Sequence, residues 1–397
     1  MNRTLIHSAL LVLEQGVEEG WVLFHGARIA DTGRGSPPPG AMAPDAEVDV
    51  VDAAGRLVTP GFIDLHCHGG GGSAFADGAE GIRRALAAHR AHGTTRSVLS
   101  LSTAPLADLE YQVDVVAQVT ATDTLVLGSH LEGPFLAPGH RGAHDPSLLR
   151  TPEAPSVARL IEAGRGTIRQ VTMAPELPGA AAATRQLLEH GIAVAVGHTD
   201  ADYDTAAAAF AGGASLLTHT FNGMSGIHHR SPGPVMAALR ASHVVLEIIN
   251  DGVHVHPEVV RLVFDAAPGR VALVTDAMAG AGAGDGSYDL GGRRVVVRRG
   301  VASLEDGTSL AGSTLTLDAA LRNAVLHAGL PVETAVAALT VVPARAIGRS
   351  HDLGRLAPGY AADAVMLDDE LAVVAVWADG VRLPSRSGHP AHGGDAS

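Results

Sequence analysis

Residues 168–198 read IRQVTMAPELPGAAAATRQLLEHGIAVAVGH. The stretch opens on a near-continuous apolar run, Ile168–Met173, and passes a turn containing proline and glycine. It then enters an Ala/Leu-rich segment, Ala180–His190, with helical spacing, and closes on a second apolar run, Ile192–Val196, followed by Gly197-His198. Strands without a polar face are covered on both sides, and strand–helix–strand units of this kind build parallel sheets. Outward from this unit the same kind of run recurs at Leu57–Leu65, Thr95–Leu101, Thr124–Gly128, Ser215–Leu217, Val244–Ile249 and Val271–Val274. Segments with helical spacing, such as Gly81–Ala91 and Pro257–Ala266, lie between most of them. Eight such units in an α/β chain fit a (β/α)8 TIM-like barrel better than an open doubly wound sheet.

The barrel is expected over residues 57–354. Residues 1–56 hold short strands at Leu5–Val12, Trp21–Ile29 and Val48–Val51, broken by glycines and a proline-rich turn. Residues 355–385 hold two more, Ala364–Leu367 and Val373–Trp377, with Asp379-Gly380 as a hairpin signal. Neither piece is long enough for its own core, so the two are expected to pair into one small β-sandwich domain. Residues 386–397 are rich in Gly and His and read as a disordered tail.

The 397 residues carry 28 basic and 42 acidic side chains, a formal net charge of −14. Every basic residue is arginine, so a Schiff-base lysine, a P-loop lysine and a lysine carbamate bridging two metals are all excluded. The acidic balance argues against a nucleic-acid partner. The single cysteine, Cys67, leaves no intramolecular disulfide and fits a reducing compartment. No run approaches ~18 apolar residues, so no membrane span is expected. The first twenty residues carry Glu14, Glu18 and Glu19 and lack a basic-then-apolar leader, which points to the cytoplasm. The Gly69–Gly72 run has neither a lysine nor an acidic ribose partner at the expected distance, so it reads as a flexible loop rather than a phosphate cradle.

Polar residues collect where the apolar runs stop: His66 and His68, then Glu132, His198, His219, Asn250 and Asp251, and Asp276. In a barrel these ends converge on one mouth, where enzyme sites sit. The four histidines with Glu132 and Asp276 are costly to bury together unless something binds them, and a divalent metal does that. On a strand His66 and His68 face the same way and Cys67 faces oppositely, toward the helices. Mixed His and carboxylate ligands suit zinc, iron or manganese rather than calcium or magnesium. Without a carbamate, Glu132 is the natural shared ligand. Asp276, alone on the last strand, is placed to take a proton from a water and return it to a leaving group.

Several motifs carry a closer resemblance. His130-Leu-Glu-Gly-Pro-Phe135, Gly197-His-Thr199, Thr218-His-Thr-Phe-Asn222, Asp251-Gly-Val-His254 and Val274-Thr-Asp-Ala-Met278 resemble the N-acetylglucosamine-6-phosphate deacetylases of the amidohydrolase superfamily. Pro60-Gly-Phe-Ile-Asp64 and Leu310-Ala-Gly-Ser-Thr314 do so too, and the pattern runs in order from about residue 57 to 360.

The resemblance implies metal-dependent hydrolysis of the acetamide of N-acetylglucosamine 6-phosphate, in amino-sugar catabolism and cell-wall recycling. It implies Glu132, His198 and His219 as ligands of the catalytic metal and Asp276 as general base and acid, itself near enough to ligate. His254 would polarise the substrate carbonyl and stabilise the oxyanion. Substrate contacts would come from Ala143, His144, Asn222, Gly223 and Ala311. Arg230 would bind the phosphate across a homodimer interface, a role that suits a guanidinium fork. Family members differ at the positions of His66 and His68; both histidines are present here, so one or two metals are expected, zinc before iron or manganese. Gly223 stands where alanine is frequent in the family. Nucleobase deaminases of this fold add a glutamate after a barrel histidine, whereas here Thr199-Asp200 and Thr220-Phe221 follow. A non-catalytic sugar-phosphate sensor would have lost Asp276 or a ligand, and none is lost.

Overall fold

The computed structural model describes residues 3–38 and 48–384; the expected tail, 386–397, lies outside them. Eight parallel strands form the central sheet: β1 (Phe62–Cys67), β2 (Thr94–Ser102), β3 (Val126–Glu132), β4 (Ile168–Met173), β5 (Ala193–Val196), β6 (Leu216–Leu217), β7 (Val245–Ile249) and β8 (Val271–Val274). Helices such as Gly78–Arg90, Ala180–Glu189 and Pro257–Ala266 cover the outside. Every residue of β1, β3 and β7 is buried, as a sheet covered on both faces requires. β3 runs four residues past its apolar run. Ser129 and His130 hid that extension, because a buried histidine reads as a break. Here it is fully hydrogen-bonded, Nδ1 to Ser100 Oγ at 2.9 Å and Nε2 to Thr172 Oγ1 at 2.8 Å.

β8 and β1 close the barrel at their upper ends. The Asp276 amide donates to the His66 carbonyl at 2.7 Å, and Cys67 bridges to Ala277. Asp64, fully buried, clamps the seam by accepting from Thr275 Oγ1 at 2.6 Å and from the His66 amide at 3.2 Å. Burial pushes its carboxyl up to about 6, against the pull of those hydrogen bonds. At the lower end the Leu339 and Ala338 carbonyls accept from Ile63 and Leu273.

The terminal segments share one eight-stranded sheet, in which Arg3–Leu13 pairs with Gly16–His25, Val48–Asp52 and Leu57–Pro60, and Leu57–Pro60 pairs with Ala364–Leu367. Ile6, Val22, Phe24, Val58 and Trp377 fill its core. The apolar run 57–65 is therefore divided: Leu57–Pro60 belongs to this sheet, and the barrel begins at Phe62. Gly61 permits the crossing, since a Cβ there would clash with Thr95 and Asp363. The Trp21–Ile29 run is likewise two strands about a turn at Gly26-Ala27. The Gly69–Gly72 run is not a free loop. It is a tight hairpin whose amides donate to the Ala277, Ala279 and Ala281 carbonyls. A three-stranded sheet, Gly286–Leu290, Arg293–Arg298 and Val301–Leu304, follows β8 over its own small core of Met278, Val295, Val297 and Ala311.

The barrel and the terminal sheet are joined by a buried ion pair. Arg96 on β2 donates from Nε to Asp363 at 2.6 Å and from Nη2 to Asp379 at 2.5 Å. The Arg96 and Asp363 side chains are 5% and 8% exposed, so little water replaces a lost partner. Asp363→Ala should lower unfolding free energy by about 3–5 kcal/mol, read as a lower denaturation midpoint at unchanged slope; a loss below about 1 kcal/mol would reassign the pair to the screened, surface kind.

Candidate active site at the barrel mouth

The strand ends deliver the polar side chains. His66 lies within β1 and His68 just beyond it, Glu132 ends β3, and His198, His219 and Asp276 each follow their strand by two residues. The last three have left-handed backbones, with φ of +48°, +23° and +46°. Such conformations cost about 1–3 kcal/mol each and persist where the surroundings hold them. Here they are held: Glu176 accepts from Thr199 Oγ1 and the Asp200 amide, both at 2.6 Å, beside His198. The Asp276 amide is tied to β1, and the His219 amide faces Glu247 Oε2 at 3.4 Å.

Glu132 is the common point. Its Oε1 lies 3.3 Å from His66 Nε2 and 3.1 Å from both His198 Nε2 and His219 Nε2. Its Oε2 lies 3.1 Å from His68 Nε2 and 3.3 Å from His144 Nε2. Asp276 Oδ1 is 3.3 Å from the Nε2 atoms of both His66 and His68. All are buried. Burial opposes ionisation of Glu132, but the positive His66 and hydrogen bonds from His144, His198 and His219 hold its carboxyl well below the usual range. Asp276 is brought down to about 2 against burial, by the His66 charge and the His68 hydrogen bond. Burial works against charge on His66 and His68 too, yet the two carboxylates raise both rings.

This donor set fits a divalent cation. The facing Nε2 atoms stand 3.2 Å apart in the His66–His68 pair and 3.0 Å apart in the His198–His219 pair, so each pair shares at most one proton between two lone pairs. His198 Nδ1 donates to the His140 carbonyl at 2.8 Å, which leaves its Nε2 as a ligand. Among the described residues three groupings could hold an ion, two of them at the mouth: His66, His68, Glu132 and Asp276 in one, Glu132, His144 and His198 in the other. Cys67 belongs to the third, with Asp64 and His89. Its sulfur faces His89 Nε2 at 3.3 Å, as its strand position predicts, and burial pushes the thiol up.

The centre opens into a cleft of about 250 Å³. Ala143, His144, Asn222, Gly223 and His254 line it, as does the Leu290-Gly291 hairpin tip. Gly223 has φ +59°, and a Cβ there would stand 2.9 Å from His198 Nδ1, so the glycine makes room for that ring. Two expected contacts lie elsewhere. The Ala311 side chain is buried against Met278, Val295 and Val297, and only its neighbours Leu310 and Gly312 reach the cleft. Arg230 is exposed on the 225–234 loop, outside the cleft of its own chain.

Two carboxylates escaped the sequence reading. Asp64 shares the period-two spacing of His66 and His68, and Glu247 interrupts the apolar β7. Either signal could have found them. Asp251 does more than end its strand: its Oδ2 takes the His254 Nδ1 proton at 2.6 Å. Burial lowers the affinity of His254 for a second proton, but Asp251, and Asp276 farther off, outweigh it and raise the ring above its ordinary value. The imidazolium therefore persists to higher pH than in a free histidine. Asp251→Asn should move the His254 titration, followed by imidazole NMR, to lower pH; an unmoved midpoint would show that Asp251 does not hold the charge.

The amidohydrolase family model matches residues 57–383. N-acetylgalactosamine-6-phosphate deacetylase of Escherichia coli O157:H7 is 40% identical over 369 residues, 91% of this chain and 96% of that protein. N-acetylglucosamine-6-phosphate deacetylase of Vibrio furnissii is 36% identical over 81% of each chain. Among solved structures, a mutant N-acetyl-D-glucosamine-6-phosphate deacetylase from Mycobacterium smegmatis, in complex with N-acetyl-D-glucosamine-6-phosphate, superimposes with a TM-score of 0.91. It is 41% identical, and the match covers 96% of this chain and all of that one.

Proposed function

The chain belongs to the amidohydrolase family, and from that premise we propose that it hydrolyses the acetamide of N-acetyl-D-glucosamine 6-phosphate to D-glucosamine 6-phosphate and acetate. The observation that carries this reading is the convergence of Glu132, His198, His219 and Asp276 at the mouth of a barrel whose solved relative holds that sugar phosphate. The reaction serves amino-sugar catabolism and cell-wall recycling. A phosphorylated sugar is retained inside a cell by its charge, which favours a cytoplasmic enzyme; among the described residues no helix is long and apolar enough to cross a membrane.

Glu132, His198 and His219 would hold the catalytic metal, and His66 and His68 a second one with Glu132 and Asp276. The histidine-rich set favours zinc. When bound, the metal supplies Lewis acidity and makes the attacking water acidic. Asp276, ionised at neutral pH, accepts the proton of that water as its oxygen adds to the acetamide carbonyl. His254 donates from Nε2 to the oxygen that becomes negative. With Nδ1–H given to Asp251, a neutral His254 would present a bare Nε2, so the raised proton affinity of this ring is what makes it a donor. Turnover should accordingly fall as pH rises through the His254 titration. Asp276 then returns its proton to the nitrogen, the C–N bond breaks, and the amine and acetate leave. Asp276→Asn should keep metal content near wild type and lower turnover by ~10²–10⁴-fold; activity within a few-fold of wild type would refute its role, and metal loss would make it chiefly a ligand.

The phosphate calls for a guanidinium or ammonium partner. Among the described residues the cleft is lined by no arginine, and the sequence holds no lysine. We assign phosphate binding to Arg230 of a neighbouring subunit in a homodimer, with His144 and Asn222 nearer the sugar. A remote dianion held this way orients the carbonyl as well as binding the sugar. The similarity to an N-acetylgalactosamine-6-phosphate deacetylase supports a second reading, the 4-epimer as substrate. Acetate release measured on both sugar phosphates and on N-acetylglucosamine decides between them. We expect preference for the N-acetylglucosamine phosphate. Arg230→Ala should erase most of the preference over the unphosphorylated sugar, and mixing it with Asp276→Asn chains should restore activity through hybrid dimers. Equal selectivity in wild type and variant would put the phosphate elsewhere.

A further inference from the structure

Glu247 is the third residue of β7, in Val245-Leu-Glu-Ile-Ile249, and is fully buried. A carboxylate in that position is expensive to desolvate unless a positive charge compensates it, whereas an aliphatic residue like its neighbours would cost nothing. Its surroundings are sparse. Gln170 Nε2 donates to Oε1 at 2.8 Å, and the His219 amide and His66 Nδ1 both face Oε2 at 3.4 Å. Among the described residues its ion-pair partner is His66. The His66 ring thus has Glu247 at Nδ1 and, at Nε2, the His68, Glu132 and Asp276 cluster.

We propose that Glu247 is the positioning residue that makes His66 a metal ligand and so sets occupancy of the His66–His68 half of the centre. This inference rests on the two-metal reading above. A carboxylate accepts a proton and cannot donate one, so it selects the Nδ1–H tautomer of His66. That tautomer turns the Nε2 lone pair into the cluster, and the carboxylate makes the ring more basic. Glutamine at this position reverses the selection. With its oxygen held by the Gln170 amide, its own NH₂ faces His66 Nδ1 and favours the Nε2–H tautomer, which cannot ligate. The change is isosteric, so the packing of β7 is preserved.

The test is metal affinity by chelator competition and metal content by mass spectrometry, on zinc-loaded full-length wild type, Glu247→Gln, His66→Asn and the double variant. Glu247→Gln should weaken the second zinc by ~10–100-fold and the first, whose ligand His219 has only its backbone amide facing Glu247, by much less. In the His66→Asn background the same substitution should add less than ~2-fold, because residues acting through one another are not additive. A wild-type second site in Glu247→Gln, with His66→Asn losing one zinc, would overturn the role of Glu247 alone. Unchanged zinc in His66→Asn would overturn the two-metal reading and this inference together. A large further loss in the double variant would make Glu247 merely structural. Should Glu247→Gln fail to fold, ¹⁵N-histidine NMR of zinc-loaded wild type reads the tautomer directly: a protonated Nδ1 on His66 supports the proposal, and an unprotonated one overturns it.

Discussion

Glu132 is a carboxylate approached by five imidazoles at 3.1 to 3.3 Å, and the rest of the mouth exists to make that crowding bearable. No isolated pair interaction could hold it, because buried ion pairs roughly repay their own desolvation and little more. What holds it is the barrel, which fixes the strand ends before any charge is placed. The left-handed backbones at His198, His219 and Asp276 turn three side chains inward at the point where each strand stops. Their strain is borne by hydrogen bonds one layer out, accepted by Glu176 and Glu247 and made across the β1–β8 seam.

That outer layer is itself acidic. Asp64, Glu176, Glu247 and Asp251 each back a histidine or the turn that carries one. The arrangement is economical, because a carboxylate behind a ring fixes its tautomer and makes its far nitrogen a better ligand or donor. It also has a consequence at long range. The net charge of −14 repels a phosphate dianion in bulk solvent, so attraction must be local, and we assign it to the rings of the mouth and to Arg230 of the partner subunit.

Much of this was legible in the sequence because strand ends carry their own signature, an apolar run that stops on a histidine or carboxylate. His198, His219 and Asp276 could be read that way, and the period-two spacing of His66 and His68 set their common direction. Asp64 and Glu247 were harder to see, since each lies inside a run whose apolar neighbours define it as strand, and a lone charge there looks like noise. The 286–304 sheet was missed for another reason. Its first strand, Gly286–Leu290, is mostly exposed, so it lacks the continuous apolar run that marked the barrel. Arg230 has no local signal at all: it is an exposed loop arginine, and the role we assign it depends on a second chain.

Asp276 sits where two demands meet. Its Oδ1 touches both His66 and His68, and their positive charge is what depresses it to about 2. A carboxyl so acidic is a weak base, far from the operating pH at which proton transfer is most efficient. Rings that serve as ligands must be neutral, and neutral rings no longer depress Asp276 by their own charge. The tautomer of His66 then bears on more than one ligand bond: the same choice of protonated nitrogen decides whether Nε2, 3.3 Å from Asp276 Oδ1, turns a hydrogen or a lone pair toward the cluster. The buried carboxylate behind His66 and the carboxylate in front of it, to which we assign proton transfer, are joined through a single imidazole.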